Sequence, residues 1–305
     1  MANYEKLVVV TRATRLDGLV KQFNTVSQAK FYNKQAGVDF ADYQNEHDAY
    51  QGALDIVRRE SGFGLKTHFL DRELVPTYLF APTDIVVALG QDGLVANTAK
   101  YIGKQPLIGV NPEPARFDGV LLPFTVDRLV PAVHSVLAGR AKIRQVTLAE
   151  AVLNDGQRLL AFNDLFIGAR SHVSARYKIT YGGETESQSS SGVLVATGAG
   201  STGWLSSMYN MAAGLTSGSQ RKSVAFPWES RDLFFVVREP FASKHSQAGL
   251  VAGPVHPDGI LRLESSMPQG GAIFSDGVEA HFLNFNSGSI ATIRAAEERA
   301  HLVVG

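Results

Sequence analysis

The stretch Asp84–Asn97, DIVVALGQDGLVAN, constrains the fold more than any other part of the chain. Ile85 to Leu89 is an unbroken apolar run rich in β-branched residues, the composition of a strand buried on both faces of a parallel sheet. Gly90 and Gly93 bracket a single carboxylate, Asp92, and Leu94, Val95, Thr98, Ala99 and Ile102 then recur at helical spacing. In an open α/β sheet such a strand-to-helix turn lies at the carboxyl edge, where ligands bind and the first helical amides face outward. Glycines let a phosphate approach the backbone closely. Asp in this position is also ordinary helix-capping chemistry, so two readings of Asp92 stand side by side.

The surrounding segments extend the pattern. Strands are expected at Leu7–Val10, Lys66–Leu70 and Leu107–Val110, with helices over Ala41–Glu60 and Asp92–Ile102. That alternation predicts a doubly wound parallel α/β domain. The first strand delivers Thr11, Arg12 and Arg15 to its carboxyl end, and the prolines of Asn111-Pro112-Glu113-Pro114 force a loop at the same edge. Val126–Ala138 reads as a bridging helix that stops at Gly139. Beyond it the character changes. Short alternating segments at Ile143–Leu148, Leu165–Ile167, Ala175–Tyr181, Val193–Ala196, Leu233–Val237, Ile260–Leu263 and Ala272–Phe274 describe a mainly antiparallel β domain. We place the boundary near Phe124–Asp127, giving domains 1–125 and 126–305, and read Ser187–Ser191 as a brief polar loop.

Composition narrows the function. With 305 residues, 45% of them hydrophobic, the chain is long enough for two packed cores. Its 29 basic and 29 acidic residues balance, which argues against a nucleic-acid partner and for small molecules. The absence of cysteine removes disulfides, thiolate metal sites and cysteine nucleophiles together. No apolar run approaches the roughly 18–20 residues that span a bilayer, so no membrane partner is expected. The first strand begins by Lys6, leaving no room for a leader, and the expected location is cytoplasmic. His134, His245, His256 and His281 lack metal-ligand spacing and read as structural.

Two constellations mark the second half. Asn163-Asp164 precedes the apolar Leu165–Ile167; an amide beside a carboxylate suits a nucleoside, and equally suits an Asx turn into a strand. Thr197-Gly198-Ala199-Gly200-Ser201-Thr202-Gly203-Trp204 follows the strand Val193–Ala196. Its hydroxyls and free amides are able to meet phosphate or ribose oxygens, and Trp204 is placed to open a helix. No Gly-Lys-Ser/Thr follows, which rules out the Walker loop. Later, Ser275-Asp276-Gly277 reads as a hairpin turn.

Taken in order, an Asp-Gly turn, Asn-acid, Thr-Gly-x-Gly-Ser and a second Asp-Gly resemble the NAD kinase family. The likeness is closest to its diverged mitochondrial-type branch through Val8–Arg15, Ile108–Gly119, Asn163–Ser171, Ser190–Trp204 and Arg238–Ala242. The resemblance implies a two-domain fold that forms homodimers or homotetramers. It also implies phosphorylation of the adenosine ribose 2′-hydroxyl of NAD(H), with ATP or polyphosphate as donor and Mg²⁺ accompanying ATP. Asp92 matches the family's general base, Asn163 and Asp164 its dinucleotide-holding pair, and Thr197, Gly198, Gly200, Ser201 and Gly203 its nucleotide loop. With Arg12, Gly90, Gln91, Gly93, Asn111, Thr202 and Asp276 these complete the expected site; no resident metal is assigned. Where the family has Gly-Gly-Asp-Gly-Thr, this chain has Gly90-Gln91-Asp92-Gly93-Leu94, and both changes fall on the donor side. They keep two alternatives open: a non-catalytic NAD/NADP sensor, and a kinase of the same superfamily acting on a different hydroxyl.

Overall fold

The computed structural model describes residues 3–60, 62–216 and 225–305. The chain forms two compact units, one of residues 1–144 together with 301–305, the other of residues 145–300.

The first unit contains β1 (Lys6–Thr11), α1 (Arg15–Phe23), α2 (Val26–Gln35), α3 (Phe40–Arg59), β2 (Lys66–Asp71), β3 (Asp84–Leu89), α4 (Asp92–Ala99), β4 (Pro106–Asn111), β5 (Phe124–Thr125) and α5 (Leu129–Leu137). Its strands are all parallel. They run β2-β1-β3-β4, and β4 also pairs with β5 and, through Pro106 and Leu107, with the last residues of the chain at His301 and Leu302. Every residue of β3 and β4 is buried, as the continuous apolar runs predict. On one face Leu7, Val9, Ile85, Val87, Ile108 and Val110 pack against Tyr50, Leu54 and Val57 of α3 and Leu129, Val133 and Val136 of α5. The alternate residues Val8, Val10, Val86 and Ala88 are just as buried, and α4 lies against β3 and β4 outside that cluster. This is the doubly wound domain expected from the strand and helix alternation.

The second unit follows β6 (Lys142–Leu153) with β7 (Arg158–Ala161), β8 (Asp164–Ala169), β9 (Ala175–Tyr181), β10 (Glu184–Ser190), β11 (Val193–Ala196), α6 (Trp204–Leu215), β12 (Leu233–Val237), β13 (Ala252–Val255), β14 (Leu261–Ser265), β15 (Gly271–Ser275), β16 (Val278–Asn284) and β17 (Ile290–Val304). A six-stranded sheet runs β13-β12-β11-β8-β15-β16, antiparallel throughout. A second antiparallel layer is built from β10, β9, β14 and the start of β17. Leu165, Ile167, Val193, Val195 and Phe235 from the first sheet meet Tyr177, Ile179, Leu261 and Ile293 from the second in one core. The mainly antiparallel β domain is therefore present.

Two sequence expectations are corrected here. The observed division falls after Arg144, not near residue 125, because Leu129, Ala132, Val133 and Val136 bury α5 in the core of the first unit. Ser187–Ser191 is not a loop either. Ser187 to Ser190 belong to β10 and pair with β9 in register, Ser187 with Lys178 and Ser189 with Arg176. The run lacks apolar alternation because it sits on the outermost strand of its layer, where polar residues are tolerated and protective.

Candidate functional site

In the first unit the candidate residues gather at the carboxyl edge of the parallel sheet. Gly90 continues the ladder by donating to the Val110 carbonyl at 3.1 Å. Gln91, not Asp92, is the N-cap of α4, and it makes no side-chain capping bond. Asp92 is the first helical residue. Its Oδ1 accepts from the Leu121 amide at 2.8 Å, and its Oδ2 has no partner among the described residues. The capping reading of Asp92 is thereby corrected: the carboxylate anchors the loop after β4 with one oxygen and leaves the other open. Because no side chain caps α4, its leading amides stay available to an incoming anion.

Arg12 lies beside this turn. A Cβ placed on Gly90 would sit 3.4 Å from the Arg12 Nε, so the Arg12 side chain packs directly over the turn. The Arg12 backbone amide donates to the Tyr50 hydroxyl at 2.9 Å, which donates in turn to the Leu89 carbonyl at 3.2 Å. Its guanidinium, however, faces inward, giving Nη2 to Glu46 at 2.9 Å and Nη1 to the Ala13 carbonyl at 3.0 Å. Glu46 is 1% exposed and also accepts from Arg15. Burial pushes the Glu46 carboxyl up, but the two guanidiniums outweigh it and hold the group below its ordinary value. Arg15 continues to Asp42 at 2.9 Å, and Asp42 to Arg116 at 2.8 Å. This charged chain fixes the segment after β1, α3 and the loop after β4. Asn111 acts inside that same loop: its Nδ2 donates to the Phe117 carbonyl and its Oδ1 accepts from the Glu113 amide. Leu94 is buried, as the apolar replacement at that position requires.

In the second unit, Asn163, Asp164, the loop 197–203 and Asp276 come together through hydrogen bonds. Asp276 and Gly277, at φ values of +52° and +67°, form the two-residue hairpin between β15 and β16. Asp276 is more than a turn residue. Its carboxylate accepts from the amides of Phe162 at 3.1 Å, Asn163 at 2.6 Å and Asp164 at 3.3 Å, fixing the entry to β8. Thr197 secures the same segment from the other side, with Oγ1 donating to the Phe162 carbonyl at 2.6 Å and its amide donating to the Asn163 carbonyl at 2.9 Å. Ser201 Oγ donates to the Gly198 carbonyl at 2.7 Å. Thr197 and Ser201, expected to face a ligand with their hydroxyls, are buried and direct them inward, holding the loop. Thr202 and Gly203 are exposed, and Trp204 opens α6 as the sequence predicts. The carboxamide of Asn163 has no partner among the described residues.

Gly200 is dictated by close approach. A Cβ there would lie 2.0 Å from the Asn163 carbonyl oxygen, and one at Gly198 would lie 2.1 Å from that of Pro227. Gly200→Ala is therefore expected to push the loop off the Asn163 segment. The cost is at least the roughly 1–3 kcal/mol typical of overpacking, visible as a lower urea midpoint with unchanged m-value.

Sequence reasoning missed the wall beside these residues. Phe166 stacks on Trp204, with centroids 5.6 Å apart and planes at 18°, and on Phe274 at 6.3 Å. The Arg238 guanidinium sits 5.7 Å from the Phe166 ring and 5.3 Å from Trp204. These residues, with Asp164, Arg170, Asp276 and Glu279, line a cavity of about 240 Å³. Stacked rings with a guanidinium and carboxylates at the margin suit a flat, polar heterocycle. Alternation along β8, with Leu165 and Ile167 facing the core and Asp164 and Phe166 facing away, was the available signal. Among the described residues no three His, Cys, Asp or Glu side chains cluster to hold a metal ion.

No model of a known protein family matches the chain. The fold is that of solved NAD kinase structures. It aligns with yeast NADH kinase complexed with NADH at a TM-score of 0.59 and 16% identity, over 99% of this chain and 84% of that one. It aligns with an NAD kinase from Archaeoglobus fulgidus in complex with ATP at 0.56 and 15%, over 98% and 93%. In sequence, the chain is 34% identical over 136 residues to the NAD kinase of Chlorobium phaeobacteroides, a stretch covering 43% of this chain and 45% of that protein. Against the NAD kinase of Burkholderia lata the figures are 31% over 146 residues, again 43% and 45%. The aligned stretch thus spans under half the length of these relatives. The chain is thus similar to NAD kinases in fold over nearly its whole length and in sequence over that stretch.

Proposed function

We propose that the protein is an NAD kinase-like phosphotransferase that uses Asp92 to activate the adenosine ribose 2′-hydroxyl of NAD or NADH. The observation that carries this reading is the state of Asp92, one oxygen anchored on the Leu121 amide and the other open, at the N-terminus of a helix whose first amides lack a cap. A ribose hydroxyl is a weak nucleophile until its proton is removed. In the proposed step Asp92 Oδ2 takes that proton, the hydroxyl oxygen bonds to the terminal phosphorus of the donor, and the donor's bridging P–O bond breaks. Mg²⁺ bound to the donor phosphates would supply charge neutralisation, since the described residues offer no ligand cluster of their own for it. The chain itself contributes the α4 amides and the fixed position of the carboxylate.

The second unit supports the dinucleotide half of the reading. Thr197, Ser201 and Asp276 act as scaffold, so the groups left to meet a ligand are the Asn163 carboxamide and the Phe166–Trp204 shelf with Arg238. We assign that shelf to one heterocycle of the dinucleotide. Arg12 and Asn111 become positioning residues, since their polar groups are largely engaged within the protein.

The test is direct. Purified protein incubated with Mg²⁺, NAD or NADH, and ATP or polyphosphate is expected to add one phosphoryl group to the dinucleotide, read by mass. The non-catalytic sensor reading is favoured by Gln91 and by the buried Leu94 at the donor loop. Binding of NAD with no product from either donor is its outcome and would end the kinase proposal.

A further inference from the structure

A second cleft in the residue 145–300 unit shares no lining residue with the aromatic cavity. It measures about 370 Å³ and is walled by Arg176, Tyr177, Ser187, Gln188, Ser189 and the 241–246 segment, with Ser266 at its margin. The register puts Arg176 opposite Ser189, so the guanidinium and that hydroxyl stand on the same face of the β9–β10 pair.

The polar accounting of this cleft is one-sided. Ser243 and Ser246 are held by each other at 2.8 Å, Ser246 donates to the Phe241 carbonyl at 2.6 Å, and the His245 amide donates to Ser243 at 3.1 Å. The Tyr177 hydroxyl is bonded to Ser190 at 2.7 Å and to Gln188 at 3.2 Å. These lining groups are thus satisfied within the protein. By contrast the hydroxyls of Ser187, Ser189 and Ser266, the imidazole of His245 and the Arg176 guanidinium have no partner among the described residues. Among the described residues no carboxylate lines the cleft. Lys178, the next residue on the Arg176 face, is paired with Glu264. Arg176 itself is a guanidinium among hydroxyls, with no acid partner among the described residues. That donor set matches the oxygens of a phosphate, which a guanidinium meets in bidentate fashion. At the rim, Phe241 exposes 65% of its surface and offers a face for a planar ring.

We propose that this cleft is a second small-molecule site, taking a phosphate monoester with a planar ring, the phosphate on Arg176 and the serine hydroxyls and the ring on Phe241. It is independent of the proposed phosphotransfer. The full chain, labelled for amide NMR, is titrated with AMP and separately with ribose 5-phosphate. The amides of Ser187, Ser189 and His245 are expected to shift saturably with both, and AMP to bind several-fold tighter. Arg176→Ala is expected to weaken both ligands tenfold or more at these amides, Phe241→Ala to abolish the advantage of AMP, and Asn163→Ala to leave the cleft's response unchanged. Arg176 is exposed and unpaired, so its loss is expected to leave the melting temperature as it was, separating lost binding from lost folding. Two results would overturn the proposal: silence of the cleft amides while others move, or an Arg176→Ala titration that matches the original protein.

Discussion

Asp92→Asn is expected to leave the protein folded and to lower turnover by roughly 10²–10⁴, about 3–5 kcal/mol of barrier, if Asp92 is the proposed base. The separation of the two effects rests on geometry. The Leu121 amide is held by Oδ1, and an asparagine carbonyl accepts that bond equally well, so the loop after β4 stays anchored. What disappears is the basicity of the open oxygen. The decisive comparison is kcat against dinucleotide affinity: a fall in kcat with binding retained supports proton abstraction by Asp92. Undiminished turnover would remove Asp92 from the mechanism. Loss of binding and of the urea midpoint together would assign it to anchoring alone.

The second large effect concerns stability. Glu46→Gln is expected to destabilise the first unit by roughly 3 kcal/mol, the low end for breaking a buried charge pair, because Arg12 loses its countercharge inside the protein while Arg15 remains partly solvated. The pH dependence has a definite sign. The Glu46 carboxyl titrates below its ordinary value of 4.5 in the folded protein, so its contribution is present above 4.5 and is lost as pH falls through the folded value. The gap between variant and original protein in urea midpoint, followed by circular dichroism, should therefore be full at neutral pH and close in acid. Asp42→Asn is the internal control. Asp42 is about half exposed, and loss of its solvent-screened ion pairs with Arg15 and Arg116 should lower the urea midpoint far less than Glu46→Gln does. If the two variants behave alike, Glu46 is not the keystone of this network.

The departures at Gln91 and Leu94 acquire a physical meaning from this geometry. Gln91 occupies the N-cap without capping, and Leu94 turns inward into the packing of α4. Neither change disturbs the strand-turn-helix frame that presents Asp92. The frame and the donor contacts are thus separable features of one loop, and the experiment with two phosphoryl donors addresses only the second.

Much of the fold was legible in the residues. Unbroken apolar runs at Val8–Val10 and Ile85–Leu89 require strands covered on both faces, and the alternation of Ala175–Tyr181 requires one covered on a single face; both requirements are local and period-based, so they survive folding. The edge strand β10 was not legible, because an outermost strand is stabilised by its neighbour's backbone and carries no apolar period of its own. The division after Arg144 was hidden for a related reason. Which core an amphipathic helix such as α5 joins is settled by packing, not by its own pattern.

At the site the same division holds. The sequence alone determined that Asp92 follows a buried strand, and that Asn163, the Thr197–Gly203 loop and Asp276 come after it in an order resembling that of the NAD kinases. Only the tertiary structure decided what each group does there. A hydrogen bond between residues 113 positions apart makes the Asp276 carboxylate a clamp on the Asn163 amide, and other long-range contacts turn Thr197 inward and bring Trp204 and Arg238 over Phe166. A spacing in sequence specifies which donors and acceptors exist. Which of them remain unpaired, and so free for chemistry, depends on partners that the chain brings near only when it folds.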